Sequence, residues 1–283
     1  MLIEDLSIII VTFNEENNIR ECVESGLRIT KKIFVVDSFS TDKTIEILDS
    51  MGIAHTSHPY ITYAKKRNWA QENNPYQTEW VLHIDADERI NDDMYNWFQT
   101  SFFKLKDEYD GFLFSRKPIF MGKFLKHGGV YPTYTPRLFK TQKGHCEDKA
   151  YDQHFVVEGK VATIKKVEIL NDVTPSINKF IDTHNFFSNY EAREIYSGGA
   201  QGEVKPKLLG NPLERRRWLK RNIFERAPLF SRAFLYFFYR YFIRLGFLDG
   251  KEGFIFHVLQ GFWFRFLIDA KVYELKKQQQ KLS

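Results

Sequence analysis

The first hundred residues alternate short, unbroken apolar runs with stretches of helical spacing. LSIIIVTF at 6–13, KIFVVDS at 32–38 and WVLHIDADE at 80–88 carry apolar side chains on both faces of an extended chain, the pattern of strands covered on both sides. Helices are expected near 15–28, 41–52, 61–73 and 91–104, with a weaker strand at about 53–57. Gly52 would end the second helix, and Ser40 or Thr41 would cap its start. Buried strands alternating with helices imply an α/β fold whose parallel sheet is wound by right-handed crossovers. Beyond residue 108 the pattern loosens into short strands at 110–120, 135–140 and 154–170. A helix to about 197 then opens at Pro175, with Thr174 as its cap.

Glycines and prolines cluster without periodicity in GGAQGEVKPKLLGNP at 198–212, marking a boundary between a body at 1–200 and a tail at 201–283. Charge divides unequally across it. The 283 residues carry a net charge of +5, but residues 204–283 hold 17 Lys/Arg against 6 Asp/Glu, while 1–203 hold 24 against 30. In the tail, RRRWLKRNIFERAPLFSRAFLYFFYRYFIRLGF at 215–247 mixes Arg with large aromatics at helical spacing. Its longest charge-free stretch, FIFHVLQGFWF at 254–264, falls well short of the ~20 apolar residues of a membrane-spanning helix. Such a tail fits amphipathic helices that meet an anionic membrane surface through Lys and Arg, or a helical layer packed on the body or on a dimer partner. Nucleic acid also attracts basic and aromatic residues, but no motif for groove or base recognition accompanies them, so no nucleic-acid partner is expected.

A composition of 43% hydrophobic and 27% charged residues excludes a disordered or collagenous chain. Cys22 and Cys146 form neither a disulfide framework nor a metal spacing, so a reducing compartment is expected. The start MLIEDLSIIIVTF places acids before its apolar run and lacks the basic opening of a signal peptide. A cytoplasmic chain is the expectation.

Ligands of open parallel sheets bind beyond the carboxyl ends of the strands, and three such ends are polar here. Thr12, Asn14 and Glu15 follow the first strand, Asp37 and Ser38 the second, and Asp85, Asp87 and Glu88 the fourth. On extended backbone, Asp85 and Asp87 point the same way. Two hard oxygen donors on one face suit Mg²⁺ or Mn²⁺, with substrate phosphate completing the shell; a solvated acidic turn is the plainer alternative. Asp37 would accept hydrogen bonds from a base or ribose, or cap the turn before Thr41. Of Lys65, Lys66 and Arg67 on one helix, Arg67 has the forked geometry that grips phosphate. Neither G-x-G-x-x-G nor G-x-x-x-x-G-K-[ST] occurs, which argues against a dehydrogenase or P-loop NTPase and for a diphosphate held through metal.

The segments IIIVTFNEENNI, VVDSFSTDKT and LHIDADE resemble the bacterial family 2 glycosyltransferases, which have a GT-A fold. GGVYPTYTPRLFK and GFLDGKEGF are similar to the branch that decorates lipopolysaccharide core or lipid-linked glycans. The resemblance covers nearly the whole chain. It implies a GT-A (Rossmann-like), mostly parallel sheet with flanking helices at 1–200, in which 1–105 is the nucleotide-sugar half and 106–200 the acceptor half. It also implies an inverting transfer from a nucleotide-diphosphate sugar, usually UDP-linked, with a divalent metal. The acceptor would be a lipid-linked glycan or lipopolysaccharide core at the inner face of the cytoplasmic membrane. Carried over by position, Thr12, Asn14 and Glu15 line the nucleotide pocket and Asp37 meets the uracil. Arg67 lies near the diphosphate, Asp85 near the ribose or sugar, and Asp87 binds the metal. The family's base is an acidic residue after the acceptor-side loop, and CEDKAYDQHF at 146–155 offers Asp148, then Asp152, then Glu147. The family's His-Glu variant of this pair would align with Asp152-Gln153 and is not matched. Arg137 in TPRLFK would steady the acceptor or diphosphate, or pair on a sheet edge. His145 and His154 receive no metal role. A polyprenyl-phosphate sugar transferase and a catalytically inactive, membrane-attached sugar-nucleotide-binding protein are the alternative functions.

Overall fold

The computed structural model describes residues 1–149, 153–174, 176–198, 202–203, 205–209 and 212–282. The chain forms two compact units: Met1–Lys117 with Thr133–Asp148 and Gln153–Asp172, and Pro118–Pro132 with Lys149–Asp152 and Val173–Ser283. The helix expected to close the body therefore belongs to the second unit.

The first unit opens with β1 (Leu6–Thr12), α1 (Ile19–Leu27), β2 (Ile33–Asp37), α2 (Thr44–Ser50), β3 (Ala54–Ser57), α3 (Tyr63–Glu72) and β4 (Trp80–Asp85). These four strands are parallel, in the order β3-β2-β1-β4. Helices cover both faces. Ile8 and Ile10 of β1 join Cys22 and Val23 of α1 and Leu48 of α2, whereas Ile9 joins Ala64 and Ala70 of α3. That double cover is why every residue of β1 is buried and its sequence shows no polar alternation. α1 buries Ile19, Cys22, Val23 and Gly26, the spacing of one helical face. A Cβ at Gly26 would stand 3.0 Å from Ile8 Cδ1, so the missing side chain lets α1 approach the sheet. Neither Ser40 nor Thr41 caps α2. Asp42 Oδ1 takes the Thr44 N–H at 3.0 Å, the stronger, charge-assisted bond, while the Ser40 hydroxyl donates to Asp37.

Past β4 come β5 (Glu88–Ile90), α4 (Asp92–Thr100), α5 (Phe102–Leu105) and β6 (Gly111–Phe120). β7 (Lys123–Phe124) falls in the second unit, and the first resumes with β8 (Tyr134–Lys140), β9 (Gly144–Cys146), β10 (Phe155–Val157) and β11 (Val161–Asp172). β8 pairs antiparallel with β4 and β6, and β5 antiparallel with β11, so the order runs β3-β2-β1-β4-β8-β6-β11-β5. The sheet is thus mixed. Among the described residues no helix lies between β6 and β11, and such direct returns make antiparallel neighbours. The strand expected to run through residue 88 ends at Asp85, and a turn at Ala86 and Asp87 sends β5 to β11. Gly159, at φ +99°, divides the strand expected at 154–170 into β10 and β11.

In the second unit, α6 (Ile177–Tyr196) is capped by Ser176, whose Oγ takes the Lys179 N–H at 3.1 Å. Thr174, expected as the cap, donates its hydroxyl to Ser176 O instead, and Pro175 lies outside the described residues. α10 (Phe264–Leu282) packs Phe264, Ile268 and Val272 against Ala192 of α6. Between them the tail is a broken series: α7 (Pro212–Leu219), α8 (Ser231–Phe238) and α9 (Gly250–Phe256), extended by wider turns at Lys220–Phe224, Tyr239–Ile243 and His257–Trp263. The H-G-G segment before β8 meets the F-L-D-G segment of the tail. His127 and Asp249 are 2.7 Å apart, and Asp249 also takes the His127 N–H at 2.8 Å. Two arginines of the aromatic run, Arg232 and Arg240, face inward, while Arg215, Arg216, Arg221, Arg226 and Arg244 are exposed. Arg232 donates to Asp269, and Arg240 to Gly128 O at 2.8 Å and Gln260 at 2.7 Å. Among the described residues, no helix is long and apolar enough to cross a membrane.

Candidate active site

Strand register builds the site within the first unit. β1 pairs Thr12 with Asp37 of β2 and Val11 with Asp85 of β4, so the three polar strand ends stand side by side. The loop after β1 turns at Asn14, a residue that tolerates its left-handed φ of 52°. Asn14 N–H donates to Ser40 Oγ at 2.7 Å and its Oδ1 takes the Thr41 N–H at 2.8 Å. Glu15 N–H donates to Thr44 Oγ1 at 2.8 Å, and the Glu15 carboxylate takes the Asn18 amide at 2.7 Å. Asn14 and Glu15 therefore tie the loop after β1 to the loop before α2.

Asp37 is fully buried and takes the N–H and O–H of Ser40 at 2.7 and 2.5 Å. Beside it, Lys66 donates to Thr12 O at 2.7 Å and Ser38 Oγ at 2.6 Å. Burial pushes the Lys66 ammonium down to about 8, against the opposing charge of Asp37. Of the three cations on α3, Lys65 is exposed, while Lys66 and Arg67 enter the site.

Asp85 is clamped between two guanidiniums. Arg67, flanked by the rings of Tyr63 at 5.3 Å and Phe155 at 5.2 Å, donates to Oδ1 at 2.5 Å. Arg137 donates to Oδ2 at 3.2 Å and to Glu88 Oε1 at 2.8 Å. Burial disfavours the Asp85 charge, but Arg67 and then Arg137 outweigh it and hold this carboxyl well below the usual range. Arg137 sits on a central strand, not a sheet edge, and it orients carboxylates. Glu88 takes the Asp85 N–H at 2.9 Å and has Arg116 at 3.9 Å.

Asp87 lies in the turn past β4, so the alternation of extended backbone no longer governs its direction. Its carboxylate takes the Asn171 amide at 3.1 Å. Burial, then the charges of Asp85, Glu88 and Glu15, push its pKa well above the carboxylate range. Among the described residues, no group of three or more His, Cys, Asp or Glu side chains forms a ready-made metal cage. The donor set fits a hard cation held by one carboxylate and completed by substrate phosphate, because the acidic surroundings of Asp87 favour positive charge there.

Of the three candidate bases, Glu147 is fully buried and its Oε1 takes the His154 N–H at 3.0 Å, extending the β9–β10 pairing. Asp148 is exposed. Asp152 lies outside the described residues. Sequence reasoning named Lys66 without choosing it and gave Arg116 and Asn171 no role. Asn171 meets Asp87 across 84 residues, a contact no local pattern announces.

The family profile described as Glycosyl transferase family 2 matches residues 7–156, which include every candidate site residue. The chain is 26% identical to the uncharacterized glycosyltransferase RP128 of Rickettsia prowazekii (strain Madrid E), over 98% of this chain and 89% of that one. It is also 26% identical to the lipopolysaccharide core biosynthesis glycosyltransferase LpsC of Rhizobium meliloti (strain 1021), over 95% and 92%. Among solved structures, S. aureus TarS 1-349 in complex with UDP is similar at 16% identity, with a TM-score of 0.48 over 98% of this chain and 92% of that one. A structure of S. aureus TarS, at 19% identity and a TM-score of 0.42, is matched over 71% of this chain and 40% of its own. The profile covers more than half of the sequence and takes in the whole row of polar strand ends, and the chain is therefore a glycosyltransferase that belongs to glycosyl transferase family 2.

Proposed function

We propose that the chain is an inverting glycosyltransferase that moves a sugar from a UDP-linked donor to a hydroxyl of a lipid-linked glycan or lipopolysaccharide core acceptor. Its place of work is the inner face of the cytoplasmic membrane. One observation carries this reading: register brings Thr12, Asp37 and the clamped Asp85 into a single row beyond parallel strands, where an open sheet holds its ligand. The likeness to LpsC, a protein named for lipopolysaccharide core biosynthesis, supports the acceptor class.

Asp37 receives the base, with the Lys66 ammonium close by. Thr12, Asn14 and Glu15 form the pocket wall. Arg67 and Arg137 keep Asp85 ionised and in one orientation toward the ribose or sugar. Asp87 would hold a divalent cation, whose chemistry would be charge neutralisation for the departing diphosphate. Inversion is a single displacement at the anomeric carbon, so one carboxylate must take the acceptor proton on the face opposite the leaving group. Asp148 is assigned that proton, since Glu147 is committed to His154.

The test is a calorimetric titration of nucleotides and nucleotide sugars with Mn²⁺ and with chelator. Metal-dependent binding of UDP, with one sugar conjugate favoured, is expected. Absence of nucleotide binding under every condition refutes the site.

A further inference from the structure

Residues 231–248 of the second unit are arranged inside out. A helix on a water-facing surface turns its charged side chains outward and buries its apolar ones. Here Arg232 and Arg240 are buried, 3% and 6% exposed, and spend their donors on partners inside the unit. The large apolar side chains face out instead. Phe234, Phe238 and Phe242, four residues apart, are 57%, 54% and 47% exposed, and Leu235 and Ile243 on the adjacent row are 63% and 61% exposed. Four-residue spacing stacks each row along one side of the helical segment, and Leu248, after the turn that ends it, is 54% exposed. A contiguous exposed apolar face marks a surface that meets matching chemistry.

Charge identifies that chemistry. From residue 231 to 248 there is no acidic residue. Arg244 and Lys251 are exposed toward the C-terminal end of the segment and Arg221 and Arg226 upstream, against one exposed acid, Glu225, and a half-buried Glu252. An apolar face itself free of acids and flanked by an excess of cations matches the boundary between anionic headgroups and acyl chains.

We propose that this face docks on an anionic lipid bilayer, with Phe234, Phe238 and Phe242 entering the acyl boundary and Arg244 and Lys251 at headgroup level. The inference rests on the membrane-side acceptor reading and deepens it, because apolar insertion, rather than a basic helix face, makes the contact. Salt screens headgroup attraction but not apolar burial, so most of the binding survives high ionic strength.

The test uses the full chain, without donor, sedimented with vesicles of phosphatidylcholine alone or with three-tenths phosphatidylglycerol, at 0.1 and 0.5 M NaCl. The triple variant Phe234→Ser, Phe238→Ser, Phe242→Ser is run beside it, with light scattering and UDP calorimetry on both proteins. The parent chain is expected to sediment with the anionic vesicles and to keep most of that binding at 0.5 M. The triple variant should lose at least about tenfold in partition and retain its affinity for UDP. Should the triple variant lose its thermal transition, the pair Phe238→Ser, Ile243→Ser replaces it. A parent chain that stays in the supernatant overturns the proposal, as do a variant that sediments like the parent and binding that disappears at 0.5 M salt. So does a parent dimer that the triple variant dissociates, which would show a second copy covering the face. Vesicle binding with no UDP affinity in either protein would sink the transferase reading while upholding the docking face.

Discussion

Lys66 offers a quantitative test of the site's electrostatics. The residue is 2% exposed, and its ammonium donates to Thr12 O and Ser38 Oγ and lies beside Asp37. Burial lowers its pKa from 10.5 to about 8 in the folded chain. Between those values the unfolded chain holds the proton and the folded chain does not. Stability must therefore rise with pH, with a penalty fully present below 8 and released toward 10.5. At about 1.4 kcal/mol per pK unit, and allowing for partial titration at each end, the release between pH 7 and pH 10 amounts to about 2 to 3 kcal/mol. Lys66→Met removes the titrating group, and every other ionisation is common to both proteins. The assay is urea unfolding of parent and variant at several pH values across that range. Relative to the variant, the parent should gain about 2 to 3 kcal/mol as pH rises. A difference in stability that is flat from pH 7 to 10 would refute a buried, charge-disfavouring position for Lys66.

Other outcomes follow from the same geometry. Asp87→Ala, or chelation of the parent, should abolish metal-dependent UDP binding in calorimetry while circular dichroism stays unchanged; undiminished affinity would remove Asp87 as the metal ligand. Asp148→Asn should lower kcat by about 10²- to 10⁴-fold with UDP affinity retained, as expected for loss of a general base. Glu147→Gln should instead act on thermal stability, because the Glu147 carboxylate takes the His154 N–H; the reverse result would exchange the two roles. In the second unit, Asp269→Ala strands a buried Arg232 and leaves the Phe230 N–H without its acceptor. Denaturant melts should show a loss of about 3 to 5 kcal/mol with UDP affinity intact. A loss below 1 kcal/mol would contradict that burial.

Local pattern and tertiary contact decided different things here. Runs such as LSIIIVTF and KIFVVD, short, β-branched and alternating with helical stretches, read as strands covered on both faces, so the parallel core and the place of its polar ends were legible locally. The sequence by itself also placed Asp37 and Asp85 at strand ends, because strand-to-loop junctions are set by local periodicity. It could not determine which polar groups spend themselves on one another. Arg67 and Arg137 stand 70 positions apart: the antiparallel pairing of β4 with β8 brings Arg137 to Asp85, and the packing of α3 on the parallel strands brings Arg67. The antiparallel half of the sheet was equally hidden, since a strand's direction depends on how the chain returns to it. The tail shows the limit most plainly. Arginine and phenylalanine alternate there at helical spacing, a pattern that suits a basic face meeting water or lipid. Only packing settled which side is which: Asp269 draws Arg232 inward, Gly128 O and Gln260 draw Arg240, and Phe234, Phe238 and Phe242 are left outside.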